Sequence, residues 1–140
     1  MFQRDAETGG RNANPVRWQY AVSRLRVRIS YNMDVRNISD AKEWFEVLQT
    51  RERSQIAMMT LQPGDATGEK AEAHEKSDQV LLLLDGKLSG EVGKERPRLK
   101  KGDILIIPAG VKHRFVNEGE NPAVTFNVYA PPAYPAGTKG

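Results

Sequence analysis

His74 and His113 are the only histidines in the 140-residue chain, and it has no cysteine. Disulfides, thiolate zinc sites, redox pairs and a cysteine nucleophile are therefore excluded. Imidazole and oxygen groups remain as the candidates for chemistry. Glu72 stands two residues before His74, so on one extended strand the two side chains face the same side. His113 falls within an ordered series, Gly102, Pro108, Gly110, His113 and Asn117, spaced G-x5-P-x-G-x2-H-x3-N. Gly102 permits a tight turn before a buried strand, and Pro108 and Gly110 shape a turn after it. His113 would open the next strand and Asn117 end it, where its amide can bond turn backbone. No residue is an unambiguous general base, which leaves the reaction type open.

The elements that must position these residues read as β. Trp44 to Leu48 and Ser54 to Leu61 have strand patterns, and Pro63-Gly64-Asp65 turns the chain after the second. Val80 to Leu84 is an apolar run of strand length. Asp85-Gly86 closes it with a hairpin signal, and Lys87 to Val92 is its partner. Ile104 to Ile107 reads as a buried strand, and His113 to Val116 and Val124 to Tyr129 read as a final pair. Asp34 to Ile38 is a short strand candidate, and Ser39 is placed to cap a helical turn over Asp40 to Trp44. Met58 and Met59 predict one side chain facing in and one out. Turn signals every ten residues or so, with little helical pattern, imply an all-β sandwich or barrel. The tail APPAYPAGTKG is Pro-rich and reads as extended over the surface. Glu69, Glu75 and Asp78 read as solvated loop charges. Trp44, Phe45, Phe115, Phe126 and Tyr129 read as core or interface, with one or two at a barrel mouth.

The spacing around His113 resembles the second motif of the cupin superfamily. The first cupin motif, G-x5-H-x-H-x3-4-E-x6-G, is similar to the segment from Pro63 to Gly86 when aligned on Gly86. Gln79 then takes the glutamate position, His74 the second histidine, Glu72 the first, and Ala66 the leading glycine. A narrower resemblance is carried by Met59, Leu61, Pro63, Gly64, Glu72, His74, Asp78, Gln79, Tyr129, Pro131 and Pro132. It is to small single-domain bacterial cupins described as mannose-6-phosphate isomerase-like, which share the Glu-x-His and Gln. This chain has Tyr134 where that group often carries a histidine after the two prolines. The resemblance covers roughly residues 33–138. It implies a double-stranded β-helix, or jelly-roll cupin barrel. It also implies a metal set of Glu72, His74, Gln79 and His113, with Gln79 either ligating weakly or bonding a ligand or water instead. Mixed nitrogen and oxygen donors suit Zn, Mn, Fe, Ni or Co. The expected role is metal-dependent action on a small polar molecule, sugar-like or carboxylate, with a non-catalytic small-molecule-binding module as the alternative. Whether the chain is an enzyme stays open, since fold does not give function. A homodimer is expected.

Charge divides the chain. The formal net charge is +3 and the pI about 9.3. Residues 1–32 carry six arginines against Asp5 and Glu7, a net of +4, and the remainder carries 15 basic against 16 acidic residues. Residues 1–32 therefore read as a basic N-terminal arm outside the 33–140 cupin domain. Within it, Leu25, Val27, Ile29 and Tyr31 alternate with polar residues as an edge strand over 25–31. The competing reading takes Met33 as the natural start and the upstream stretch as peripheral. The basic run Lys94 to Lys101 lacks the interleaved aromatics of a nucleic-acid site, so no nucleic-acid partner is expected. No apolar run is long enough to span a bilayer, and the polar, Gly-rich opening lacks a secretory leader pattern. The expected compartment is the cytoplasm.

Overall fold

The computed structural model describes residues 33–140, so the basic arm and its expected edge strand at 25–31 lie outside the described residues. Eight strands follow in chain order: β1 Phe45–Thr50, β2 Gln55–Leu61, β3 Asp78–Asp85, β4 Lys87–Val92, β5 Arg98–Lys100, β6 Ile104–Ile107, β7 His113–Val116 and β8 Ala123–Ala130. They form a five-stranded antiparallel sheet ordered β1-β2-β8-β3-β6 and a three-stranded one ordered β5-β4-β7. This is the expected all-β double-stranded β-helix. The core is filled from both sheets, by Leu61, Leu81, Leu83 and Ile107 on the larger and Leu88, Leu99 and Phe115 on the smaller. Each such aliphatic side chain removed from water contributes on the order of 2 kcal/mol.

Period-two alternation decides which side chains reach the interior. On β3, Gln79, Leu81 and Leu83 point inward, while Val80, Leu82 and Leu84 are half-buried on the outer face. Strand β8 inverts the usual code. Thr125 and Asn127 are fully buried, and Val124, Phe126 and Val128 lie half-buried outside. On β6 only Ile107 is buried, whereas Ile104 and Ile106 are 70% and 63% exposed. The expectation of a buried strand from Ile104 to Ile107 is thus corrected: β6 is an edge strand with one face out.

Other local expectations shift as well. Strands β3 and β4, expected to pair as a hairpin across Asp85-Gly86, lie in opposite sheets, β3 between β8 and β6 and β4 between β5 and β7, so Gly86 turns the chain from one sheet to the other. Strands β7 and β8 do not pair. They lie in opposite sheets, β7 on β4 and β8 between β2 and β3. Residues Asp34 to Ile38 form no strand. A 3-10 turn runs over Ile38–Asp40, and its cap is Asn37, not Ser39: the Asn37 Oδ1 accepts from Ser39 N at 2.9 Å, and Asp40 Oδ2 accepts from Asn37 N. Met59 joins the core and Met58 faces the other side of the sheet, as expected, but both are buried. The outer face is closed at its β1 end, where Glu46, paired with Met58, is buried too and accepts from Lys42 N at 2.9 Å.

The tail is built into the fold. Buried Gln55 uses its whole amide on neighbouring chain. Its Oε1 accepts from Ala133 N and Tyr134 N, both at 3.1 Å, and its Nε2 donates to Tyr134 O at 2.8 Å and Thr50 Oγ1 at 3.0 Å. Val47 N then donates to Thr138 O, and Gly140 N to Phe45 O, each at 2.8 Å. The last residues thus run along β1 as a strap.

Candidate functional site

A cavity of about 420 Å³ opens between the sheets, and Glu72, His74, Gln79 and His113 all line it. Residues far apart in sequence converge because the segment 66–74 lies along β7. Thr67 N donates to Phe115 O at 2.9 Å, and Arg114 Nε donates to Gly68 O. Glu72 and His113 exchange backbone bonds in both directions, at 3.1 and 2.9 Å, and Gly110 N donates to His74 O at 2.8 Å. Buried Asn117 acts as anticipated. Its Nδ2 donates to Leu61 O and Asn121 O, and its Oδ1 accepts from Gly119 N. Asp78 is not merely a solvated charge, since its Oδ1 accepts from Ala109 N and fastens the turn before His113.

The two imidazoles face each other with centroids 5.3 Å apart. His113 Nδ1 lies 3.0 Å from Val111 O. A carbonyl only accepts, so that nitrogen carries the proton and Nε2 of the neutral ring keeps its lone pair. Burial holds the His74 imidazole below its ordinary value. His113 adds to that lowering, and Glu72 opposes it. Burial likewise pushes the Tyr129 phenol far above its usual range, with Tyr134 beside it adding to the shift.

Gln79 is oriented by a polar chain that the sequence reading missed. Asn127 Nδ2 donates to Thr125 Oγ1 at 2.8 Å, and the Thr125 hydroxyl donates to Met59 O at 3.3 Å. Asn127 Oδ1 is therefore the free acceptor, and it takes Gln79 Nε2 at 3.0 Å. The remaining atom, Gln79 Oε1, is buried with no hydrogen-bond partner among the described residues. Such an orphan costs roughly 1–3 kcal/mol and invites a donor or a cation. The signal for Asn127 and Thr125 was two polar residues at alternate positions of an apolar strand, which period two places on one face.

These donors fit a divalent cation in type: two imidazole nitrogens and an unpaired amide oxygen around one cavity. Glu72 is exposed. Among the described residues, no three His, Cys, Asp or Glu side chains stand close enough to hold an ion. The imidazole pair and Gln79 are thus assembled, and the carboxylate is not drawn in.

Residues 57–129 match the cupin domain family. The chain is a cupin. Its curated relatives include the uncharacterized protein YrkC of Bacillus subtilis, 31% identical over 65% of this chain and 51% of that protein. An acireductone dioxygenase of Phaeosphaeria nodorum is 28% identical over 85% of this chain and 70% of its own length. Among solved structures, BH2720 of Bacillus halodurans superposes with a TM-score of 0.70 at 25% identity, covering 80% of this chain and 90% of that one. The chain spans about half the length of YrkC. Among the described residues of this cupin, no helix is long and apolar enough to cross a membrane.

The cupin's tail contributes to the cavity, against the expectation of a surface extension. Tyr134, Thr138 and Gly140 line it. The Tyr134 ring packs on Phe45 at 4.8 Å, Tyr129 at 5.3 Å and His74 at 5.4 Å. Of the aromatics read from sequence as core or interface, Trp44, Phe45, Phe115 and Tyr129 line the cavity, whereas Phe126 faces outward.

Proposed function

We propose that this cupin binds a divalent transition metal, Zn, Mn, Fe, Ni or Co, through His74, His113, Gln79 and Glu72, and acts on a small polar ligand in the barrel. The observation that carries the reading is Gln79 Oε1, buried and unpaired on the same cavity as two facing imidazoles. Glu72, which lines the same cavity, would supply the carboxylate of the set. When bound, the ion supplies Lewis acidity toward a ligand oxygen or a water. The chain's own residues orient the donors: Val111 O fixes the His113 tautomer, and Asn127 turns the Gln79 oxygen inward. The mannose-6-phosphate isomerase-like resemblance belongs to this reading and carries no reaction with it. A non-catalytic binding module is the second reading, favoured by the lack of an evident general base. Metal analysis of protein purified without a nickel column tests the site. About one equivalent of a transition metal is expected, and less than about a tenth of an equivalent would sink the reading.

A homodimer is proposed with it, formed on the outer face of the larger sheet. Exposed Ile104 and Ile106 continue into half-buried Val80, Leu82 and Phe126. That face carries no charge at these positions, so a second copy of itself is a matching partner in a two-fold arrangement. Light scattering after size exclusion should give twice the chain's 15.7 kDa for the wild type and the single mass for Ile104→Lys/Ile106→Glu. A monomeric wild type at tens of micromolar would reject the dimer.

A further inference from the structure

One wall of the cavity is a run of aromatic rings. Trp44, Phe45, Tyr134 and Tyr129 follow one another with centroids 5.9, 4.8 and 5.3 Å apart. The Tyr129 ring then meets His74 edge-on at 5.0 Å. Beyond the imidazole pair, Phe115 stands 6.2 Å from His113. The charged complement is small. Among the described residues lining the cavity, Lys70 is the single cationic side chain, itself exposed, and Glu72 the single carboxylate side chain. Apart from the donor set, Thr67, Thr138 and the phenols of Tyr129 and Tyr134 are the side-chain hydroxyls among the described lining residues, and Tyr129 is itself buried.

This inventory discriminates between ligand classes. A sugar phosphate presents several hydroxyls and a dianion, which call for many fixed polar partners and more than one cation. A flat arene presents two π-faces, which aromatic rings stack on or meet edge-on. The cavity volume of about 420 Å³ accommodates one or two fused rings with an acid group. We propose that the cavity takes an arene carboxylate, its ring lying against the aromatic wall of Trp44, Phe45 and Tyr134 and its acid group at the imidazole end. The proposal rests on the reading of that end as the polar anchor and names the ligand class for it. Tyr134 is the specificity-determining residue, set against the ring by the Gln55 clamp on its backbone.

The test uses the full chain, loaded with Co(II) and metal-free, titrated with 2-naphthoate and with mannose 6-phosphate. Calorimetry gives the affinities. Quenching of Trp44 fluorescence reports occupancy in a Trp18→Phe background, since the chain has two tryptophans. The expected result is 2-naphthoate binding at least about tenfold tighter than the sugar phosphate, and weakened about tenfold by Tyr134→Ala or Trp44→Ala. The Co(II) absorption spectrum should stay unchanged in both variants. Equal or tighter binding of the sugar phosphate, or no naphthoate binding to a protein whose spectrum shows a loaded site, would overturn the proposal. If Co(II) fails to load, the metal reading falls by itself. The metal-free titration then decides the arene reading: naphthoate binding weakened by Tyr134→Ala supports it, and absence of binding overturns it.

Discussion

His113→Ala is expected to lower Co(II) affinity by more than about 100-fold, beyond the loss usual for residues that only support a ligand. In the proposed site the imidazole is a metal donor, whereas the residue's backbone is what ties β7 to the segment carrying Glu72 and His74. Truncation at Cβ leaves those bonds intact. The melting temperature of the metal-free variant should therefore stay within a few degrees of wild type, while competition with a chromophoric chelator reports the lost affinity. Unchanged affinity in a folded variant would remove His113 from the site. Gln79→Leu provides the contrast. It removes the unpaired oxygen but also leaves Asn127 Oδ1 buried without its donor, so it should lower stability by roughly 1–3 kcal/mol as well as weaken metal binding.

Gly86→Ala is expected to destabilise the fold by about 2–5 kcal/mol, read from the urea midpoint at constant slope. Two costs combine. Gly86 sits at φ +82, where a Cβ is strained. A Cβ there would also come within 2.4 Å of Pro122 O and 2.8 Å of Ala123 Cα, and backbone cannot swing aside as a side chain would. The turn between β3 and β4 would have to move away from the start of β8, the strand that carries Thr125 and Asn127. Gly102→Ala separates the two costs. Its φ is +93, with nothing within 4 Å of the added Cβ, so only the conformational strain applies, about 1 kcal/mol. Equal losses at the two positions would mean that the close approach of Pro122 has no energetic weight.

Much of the fold was legible in local pattern. Asp85-Gly86 marked the tight turn between β3 and β4, though not their separation into different sheets, because a turn with positive φ admits few residue types, and Asn117 was read as a turn clamp because few side chains can accept and donate to backbone at once. Pairing was less legible. His113 to Val116 and Val124 to Tyr129 are neighbours in sequence, yet they lie in opposite sheets, since closing a jelly roll sends consecutive strands across the barrel. Apolar content also misled on β6 and β8, where Ile104, Ile106 and Phe126 face outward and a polar pair faces in. Composition cannot tell a core face from an apolar outer face when both flank the same strand.

By itself, the sequence determined which groups were available: two imidazoles, no thiol, and the spacing that matches the cupin motifs around His74 and His113. Spacing along a chain is local information, and turn chemistry enforces it. Only the tertiary structure decided how these groups are presented. It turned Gln79 Oε1 into an unpaired buried acceptor through Asn127, a residue 48 positions away. It also brought Tyr134 against His74 through a clamp from Gln55, 79 residues earlier. Neither relation has a local signature, because each depends on strands β2, β3 and β8 meeting side by side and on the last residues returning along β1.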